Sequence, residues 1–354
     1  MNTIRHCFLT ILMLLCAAVC SAQGGYYIPS NKITSSLVNN ILQDKYGYVW
    51  IATENGLNRF DGYKFTQYFF DEDDSTALNS NIVVKLFSDS KGRLWVGTRL
   101  GLMQYDYKND NFKKWRLPGE TTPRIISMLE TPSGEMYFGS SGRGLYRLDG
   151  DSIVKIPDGF TSPGGNWFFN QMLIDRLGRF WKCGYGEEIT VKENDQVHQF
   201  FIKQEITVKL VELGDQIISV CMHGIYTIKD GVVTKIHDLT VLGKEIVSYC
   251  ACATKDGDIY IGTRGDGLFM LDRNSLNLSR VDCRLREIDL SNAKIRSISE
   301  DLYGNLWIAC EGKGIVVMPK NRPQFSTWTL SGQGYNVNCI FFLLDCYGVI
   351  LLPC

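Results

Sequence analysis

Seven times between residues 37 and 328 the chain repeats one pattern: an apolar run, a turn with Gly, an aromatic residue three positions on in every copy but the fifth, and another Gly. It reads DKYGYVWIATENGLNRFD at 44–61, DSKGRLWVGTRLGLMQYD at 89–106 and DLYGNLWIACEGKG at 301–314. Aligned on the residue after the turn, the copies place Trp50, Trp95, Tyr137, Trp181, Ile218, Tyr260 and Trp307 at intervals of 45, 42, 44, 37, 42 and 47 residues. A period this regular confines the chain to architectures that stack one supersecondary unit, and this period is the length of four short strands.

Each unit parses alike. VVKLFSD (83–89) suits an inner strand, and Asp89 to Gly92 is turn chemistry, with Asp bonding local backbone and Gly free to take positive φ. RLWVGT (93–98) and GLMQYD (101–106) follow as second and third strands, and NFKKWRL (111–117) as a more polar fourth. No segment keeps a helical period for ten residues or more. A lone four-stranded sheet buries one face well and leaves its edges open, whereas radial stacking buries both faces. The pattern therefore predicts an all-β chain: a seven-bladed β-propeller of four-stranded antiparallel blades. Inner strands are expected near 38–44, 83–89, 125–130, 170–175, 208–213, 247–253 and 294–300. Trp50, Trp95, Tyr137, Trp181, Tyr260 and Trp307 are expected between blades, where a large ring leaves water. The fifth unit keeps its strands but lacks the aromatic. YYIPS (26–30) is a candidate ring-closing strand, in competition with QFSTW (324–328) as the outer strand of the seventh unit.

Both ends read differently from the repeats. Arg5 and His6 precede the apolar run FLTILMLLCAAV, and CSA follows, so residues 1–22 read as a signal peptide cleaved after Ala22. The propeller is assigned to 23–328. In 329–354, Asp345, Gly348 and Leu351 match Asp44, Gly47 and Trp50, which reads as the incomplete start of an eighth repeat in a truncated gene, expected to pack poorly. Localisation is expected to be periplasmic.

The 37 basic and 38 acidic side chains nearly cancel, which gives no electrostatic case for nucleic acid or an anionic membrane surface. Nine cysteines follow Ala22, and Cys183, Cys221, Cys250, Cys252 and Cys310 sit inside strand-like stretches, where they read as free buried thiols rather than a disulfide framework. Cys250 and Cys252 have the wrong spacing for a CxxC site. The acidic run at 71–74 is contiguous, not the alternating oxygen pattern of a calcium loop. No metal or cofactor is expected. Sialidase-type Asp boxes place Gly two residues after Asp, whereas these turns place it three after. A propeller lyase with catalytic His and metal is the other enzymatic alternative, for which only His223 lies in a suitable loop.

The series Asp-x-x-Gly-x-(Leu/Val)-Trp-(Ile/Val)-(Gly/Ala)-Thr…Gly-Leu…Asp, best seen in ITSSLVNNILQDKYGYVWIATENGLNRFDGYKF, resembles the two-component regulator propeller repeat over about residues 30–320. The resemblance implies the N-terminal extracytoplasmic sensor part of a hybrid two-component system of Bacteroidetes, which senses glycan breakdown products. Relatives continue into a second propeller, a β-sandwich, a membrane helix and a histidine kinase core. None of these is visible here, and His6, His198, His223 and His237 sit in no phosphoacceptor context. The expected function is thus ligand sensing without kinase activity in this chain; a carbohydrate-acting propeller enzyme and a pure interaction scaffold are the alternatives.

Candidate contact residues come from the second-to-third-strand loops and interblade loops, which converge on one face and escape the repeat's uniformity. Arg99, Arg143, Arg264 and Lys313 would supply donors there, Tyr185 and His223 flat or titratable edges, and Trp167 an aromatic rim. The partner expected at this face is an oligosaccharide or the second propeller of a longer receptor, with homodimerisation as a further option.

Overall fold

The computed structural model describes residues 26–119, 122–157, 169–194, 196–240, 245–281, 284–285, 288–320, 327–330, 337–345 and 348–353. Seven four-stranded antiparallel sheets form a ring, a seven-bladed β-propeller. Its inner strands are Val38–Gln43, Val83–Ser88, Ile125–Glu130, Gln171–Ile174, Thr207–Leu213, Ser248–Ala253 and Ile295–Glu300, each within a residue or two of its expected place. They neighbour one another around the central channel. Among the described residues the helical content is one 3-10 turn, Ser30–Lys32, and no helix is long and apolar enough to cross a membrane.

The ring closes through its N-terminus. Tyr26–Pro29 is the outer strand of the seventh blade, antiparallel to Gly314–Met318, with Tyr26 opposite Val317 and Pro29 opposite Gly314. The alternative outer strand joins a different sheet: Thr327–Leu330 pairs with Val337–Asp345, which pairs with Gly348–Pro353. Gly314 is required at the closure. Its φ is +116°, and a Cβ there would stand 2.2 Å from the Ile28 carbonyl oxygen.

The apolar core is divided by seam. Seven hydrophobic clusters fill the seven gaps between blades, and each contains the aligned residue of one repeat: Trp50 between blades 1 and 2, Trp95 between 2 and 3, Tyr137 between 3 and 4, Trp181 between 4 and 5, Ile218 between 5 and 6, Tyr260 between 6 and 7, and Trp307 between 7 and 1. Trp50 and Trp95 are wholly buried. The fifth blade accommodates its aliphatic residue by turning its first hairpin in two residues, Leu213 being paired with Gln216. Cys183, Cys221 and Cys310 are buried and Cys250 and Cys252 half-buried, all as free thiols. Burial pushes the Cys183 thiol up to about 12 and Cys221 up to about 11, so neither is poised to react.

In six blades the inner strand carries one extra residue at its second position. Asn39 in blade 1 lies between the pairs Val38–Thr53 and Asn40–Ala52, and Tyr249 and Arg296 occupy that position in blades 6 and 7.

Candidate functional site

The most repeated polar feature is structural. In blades 1, 2, 4 and 7 the turn begins with a buried Asp whose carboxylate accepts both a turn amide and the indole N–H. Asp44 takes the Trp50 Nε1–H at 2.7 Å and the Tyr48 amide at 3.0 Å; Asp89, Asp175 and Asp301 hold Trp95, Trp181 and Trp307 in the same way. Where the aromatic is Tyr137 or Tyr260, which have no ring N–H, the turn begins with Thr131 or Thr254. Asp therefore pairs with an indole donor and Thr with a phenol. The acidic run at 71–74 is likewise local: the Asp74 carboxylate accepts the Thr76 hydroxyl and amide, which hold it below the usual carboxylate range. Among the described residues no three His, Cys, Asp or Glu side chains are grouped to hold a metal.

On the face of the first-to-second-strand turns, four seams are also pinned by a side chain at the end of an inner strand. Glu130 accepts the Ser90 amide and hydroxyl, Glu212 the Arg176 amide, Glu300 the Lys255 amide, and Gln43 the Leu302 amide across the closure.

The opposite face carries the loop residues singled out from the sequence. In six blades the residue after the second strand is stitched to the segment leading into an inner strand, as in Arg99 N–H to Ile82 O and Arg264 N–H to Val247 O. Arg264 lies 5.0 Å from the Tyr249 ring centre, with Arg296 5.3 Å from the same ring. Arg296 reaches Glu311 at 3.3 Å and Asn39, and Asn39 donates to Glu54 at 2.8 Å, so one polar network runs over blades 6, 7 and 1 at the channel mouth. Arg99 and Arg143 are exposed on blades 2 and 3, and Tyr185 is exposed on blade 4. Lys313 turns aside to the Asp289 carbonyl at 2.9 Å. His223 stands between two carboxylates, 3.5 Å from Glu205 and 3.4 Å from Glu245. Trp167 lies outside the described residues. Of the described candidates, Arg264 joins the mouth network. Its partners Tyr249, Arg296 and Asn39 were legible only as second residues of inner strands, the bulge position.

A cleft of about 570 Å3 opens on the turn face, across blades 1 to 3. Tyr46, Tyr105, Tyr107 and Trp115 line it, with Lys91, Arg93, Gln104, Lys113 and Asp151 among the polar groups. Tyr46 is exposed and lies 4.6 Å from Tyr107 centre to centre. Tyr107 is fixed by its hydroxyl, which donates to Asp44, and Lys113 lies over Trp115 at 4.2 Å. Rigid rings beside fixed donors and acceptors are what small-ligand clefts present.

Comparison with known proteins places this architecture. The profile of the two-component regulator propeller family matches residues 31–55 and 77–99, the first two repeats. Both matched stretches are inner-strand and second-strand hairpins, in blades 1 and 2. A histidine kinase of Formosa agariphila is 35% identical over 77 residues, which is 20% of this chain and 6% of the kinase. Among solved structures, the extracellular domain of a putative hybrid two-component system of B. thetaiotaomicron superposes with a TM-score of 0.73 at 19% identity, over 93% of this chain and 48% of that one. A second extracellular domain from the same organism, of a putative one-component system, gives 0.68 at 17% identity, over 94% of this chain and 46% of that one. The chain thus spans about half of these domains. Streptogramin B lyase gives 0.64 at 15% identity, over 84% of this chain and 98% of the lyase. At these identities the solved structures share the propeller fold, which serves unrelated chemistries.

Proposed function

We propose that the chain is the extracytoplasmic ligand-sensing propeller of a two-component signalling receptor, working in the periplasm with an oligosaccharide as ligand. The carrying observation is the family's repeat at 31–55 and 77–99 within a propeller whose solved neighbours include extracellular domains of such systems. Signal output in this reading belongs to receptor parts the chain does not span. Support for a carbohydrate comes from the cleft on blades 1 to 3: the exposed ring of Tyr46 offers a face for sugar C–H surfaces, and Arg93, Gln104 and Asp151 offer donors and acceptors for hydroxyls.

Calorimetric titration with oligosaccharide mixtures tests it on the parent, on Tyr46→Ala and on Arg99→Ala/Arg264→Ala. Heat from the parent that Tyr46→Ala loses supports the cleft. Heat lost only in the arginine variant moves the ligand to the channel mouth. A parent that gives no heat with any mixture overturns the carbohydrate reading.

A further inference from the structure

The residue just after the bulge lies at one level of the channel wall in every bulged blade, and it is Lys85 in blade 2 and Lys209 in blade 5. In three other blades the side chain at this level is tied to the next inner strand. Asn40 accepts the Leu86 amide at 2.9 Å, Gln171 exchanges bonds with the Leu210 amide and carbonyl at 2.6 and 2.9 Å, and the Cys250 thiol faces the Ile295 carbonyl at 3.5 Å. The two lysines have no such tie. Neither ammonium has a hydrogen bond or ion pair among the described residues, and both side chains are half-buried.

Blades 2 and 5 share no seam, so the space between these side chains is the channel itself. Each charge acts on the other across it, and the group of blade 6 that also acts on Lys85 is the Cys252 thiol, which burial keeps neutral. No carboxylate is among the groups that act on Lys85, and Glu130, Glu212 and Glu300 of the inner strands are bonded to backbone amides of neighbouring blades. Two like charges held at one level of the channel, with no counter-charge bonded to either among the described residues, favour a ligand of opposite sign. Burial and the charge of Lys209 lower the Lys85 amine to about 8.

We propose that Lys85 and Lys209 form a binding site for a small oxyanion inside the central channel, taking sulfate, phosphate or the carboxylate of an acidic sugar. The site is separate from the cleft of blades 1 to 3 and stands whether or not that cleft binds carbohydrate.

Thermal unfolding of the purified chain tests the proposal at constant ionic strength, with sodium chloride replaced by sulfate, phosphate or glucuronate. The parent should gain Tm with at least one oxyanion relative to chloride. Lys85→Met and Lys209→Met should each weaken that response at least about tenfold in apparent affinity, the scale of one charge-assisted hydrogen bond. A response to glucuronate alone identifies the acidic sugar, and one to sulfate or phosphate an inorganic ion; both support the site. An unresponsive parent, or a response that the variants retain in full, overturns it. Trinitrobenzenesulfonate labelling of the parent, read by peptide mass spectrometry, gives a second measurement that needs no variant. Labelling of Lys85 should slow in the active oxyanion and not in chloride, and an unchanged rate refutes the site.

Discussion

Asp89 is buried with its carboxylate shared among the Arg93 amide at 2.8 Å, the Arg93 guanidinium at 2.5 Å and the Trp95 indole at 2.9 Å. A buried carboxylate is tolerable when donors surround it, and the indole is tolerable in an apolar seam when its N–H has an acceptor. The two residues are therefore conditions for each other. Asp89→Thr should cost about 1–3 kcal/mol by stranding the indole donor. Trp95→Ala should cost about 3–5 kcal/mol by emptying the seam. Asp89→Thr/Trp95→Tyr, the pairing blades 3 and 6 already use, should lose less than Asp89→Thr and Trp95→Tyr summed, as read by urea unfolding of the four proteins. Strict additivity would show that the pair does not act as a unit. The related Asp175 gives a pH signature. Burial pushes its carboxyl up, but bonds from Trp181 and Arg179 outweigh burial and hold it below the ordinary carboxylate value. A lowered folded-state pKa contributes stability above the unfolded carboxylate's pKa, and that contribution is lost as pH falls through the folded one. Asp175→Asn should therefore be less stable at neutral pH and show a shallower acid limb; parallel limbs for parent and variant would contradict this.

At the scale of strands, most of the fold is legible in the repeat itself. Inner strands were legible because the Gly turn and the aromatic mark their ends in every copy, so Val83–Ser88 and Ile295–Glu300 fall where the pattern puts them. The outer strands were not. YYIP and QFST have the same half-polar, β-favouring look, and nothing local says which of them meets Gly314–Met318, a choice made by ring closure between residues far apart in sequence. The site was less legible still. Turn-like composition identified Arg264 as a mouth residue, but Tyr249 and Arg296 read as ordinary strand positions until the bulge turned them to the channel. The cleft of blades 1 to 3 depends on three turns brought side by side from separate repeats, and Tyr46 and Asp151 have no sequence sign of being neighbours.

For the whole molecule, cohesion rests on seven similar seams, one of which has its outer strand supplied by the other end of the chain. Deleting Tyr26–Pro29 removes the partner of Gly314–Met318 and bares that edge, along with the packing of Ile28 against Trp307 and Ile315. The shortened protein should keep most of its β-sheet circular dichroism, unfold at lower denaturant and self-associate as concentration rises. A monomer as stable as the parent would mean that the strand does not hold the ring. The same pairing sets an order in time. Tyr26 leaves the ribosome almost three hundred residues before Val317, so the first strand made is the last to find its place. Until then a growing chain can stack blades one upon another but cannot complete a circle, and Tyr26–Pro29 waits unpaired until Gly314–Met318 has been made. Anything that binds extended backbone, whether a chaperone, a protease or another nascent copy, has that interval in which to act.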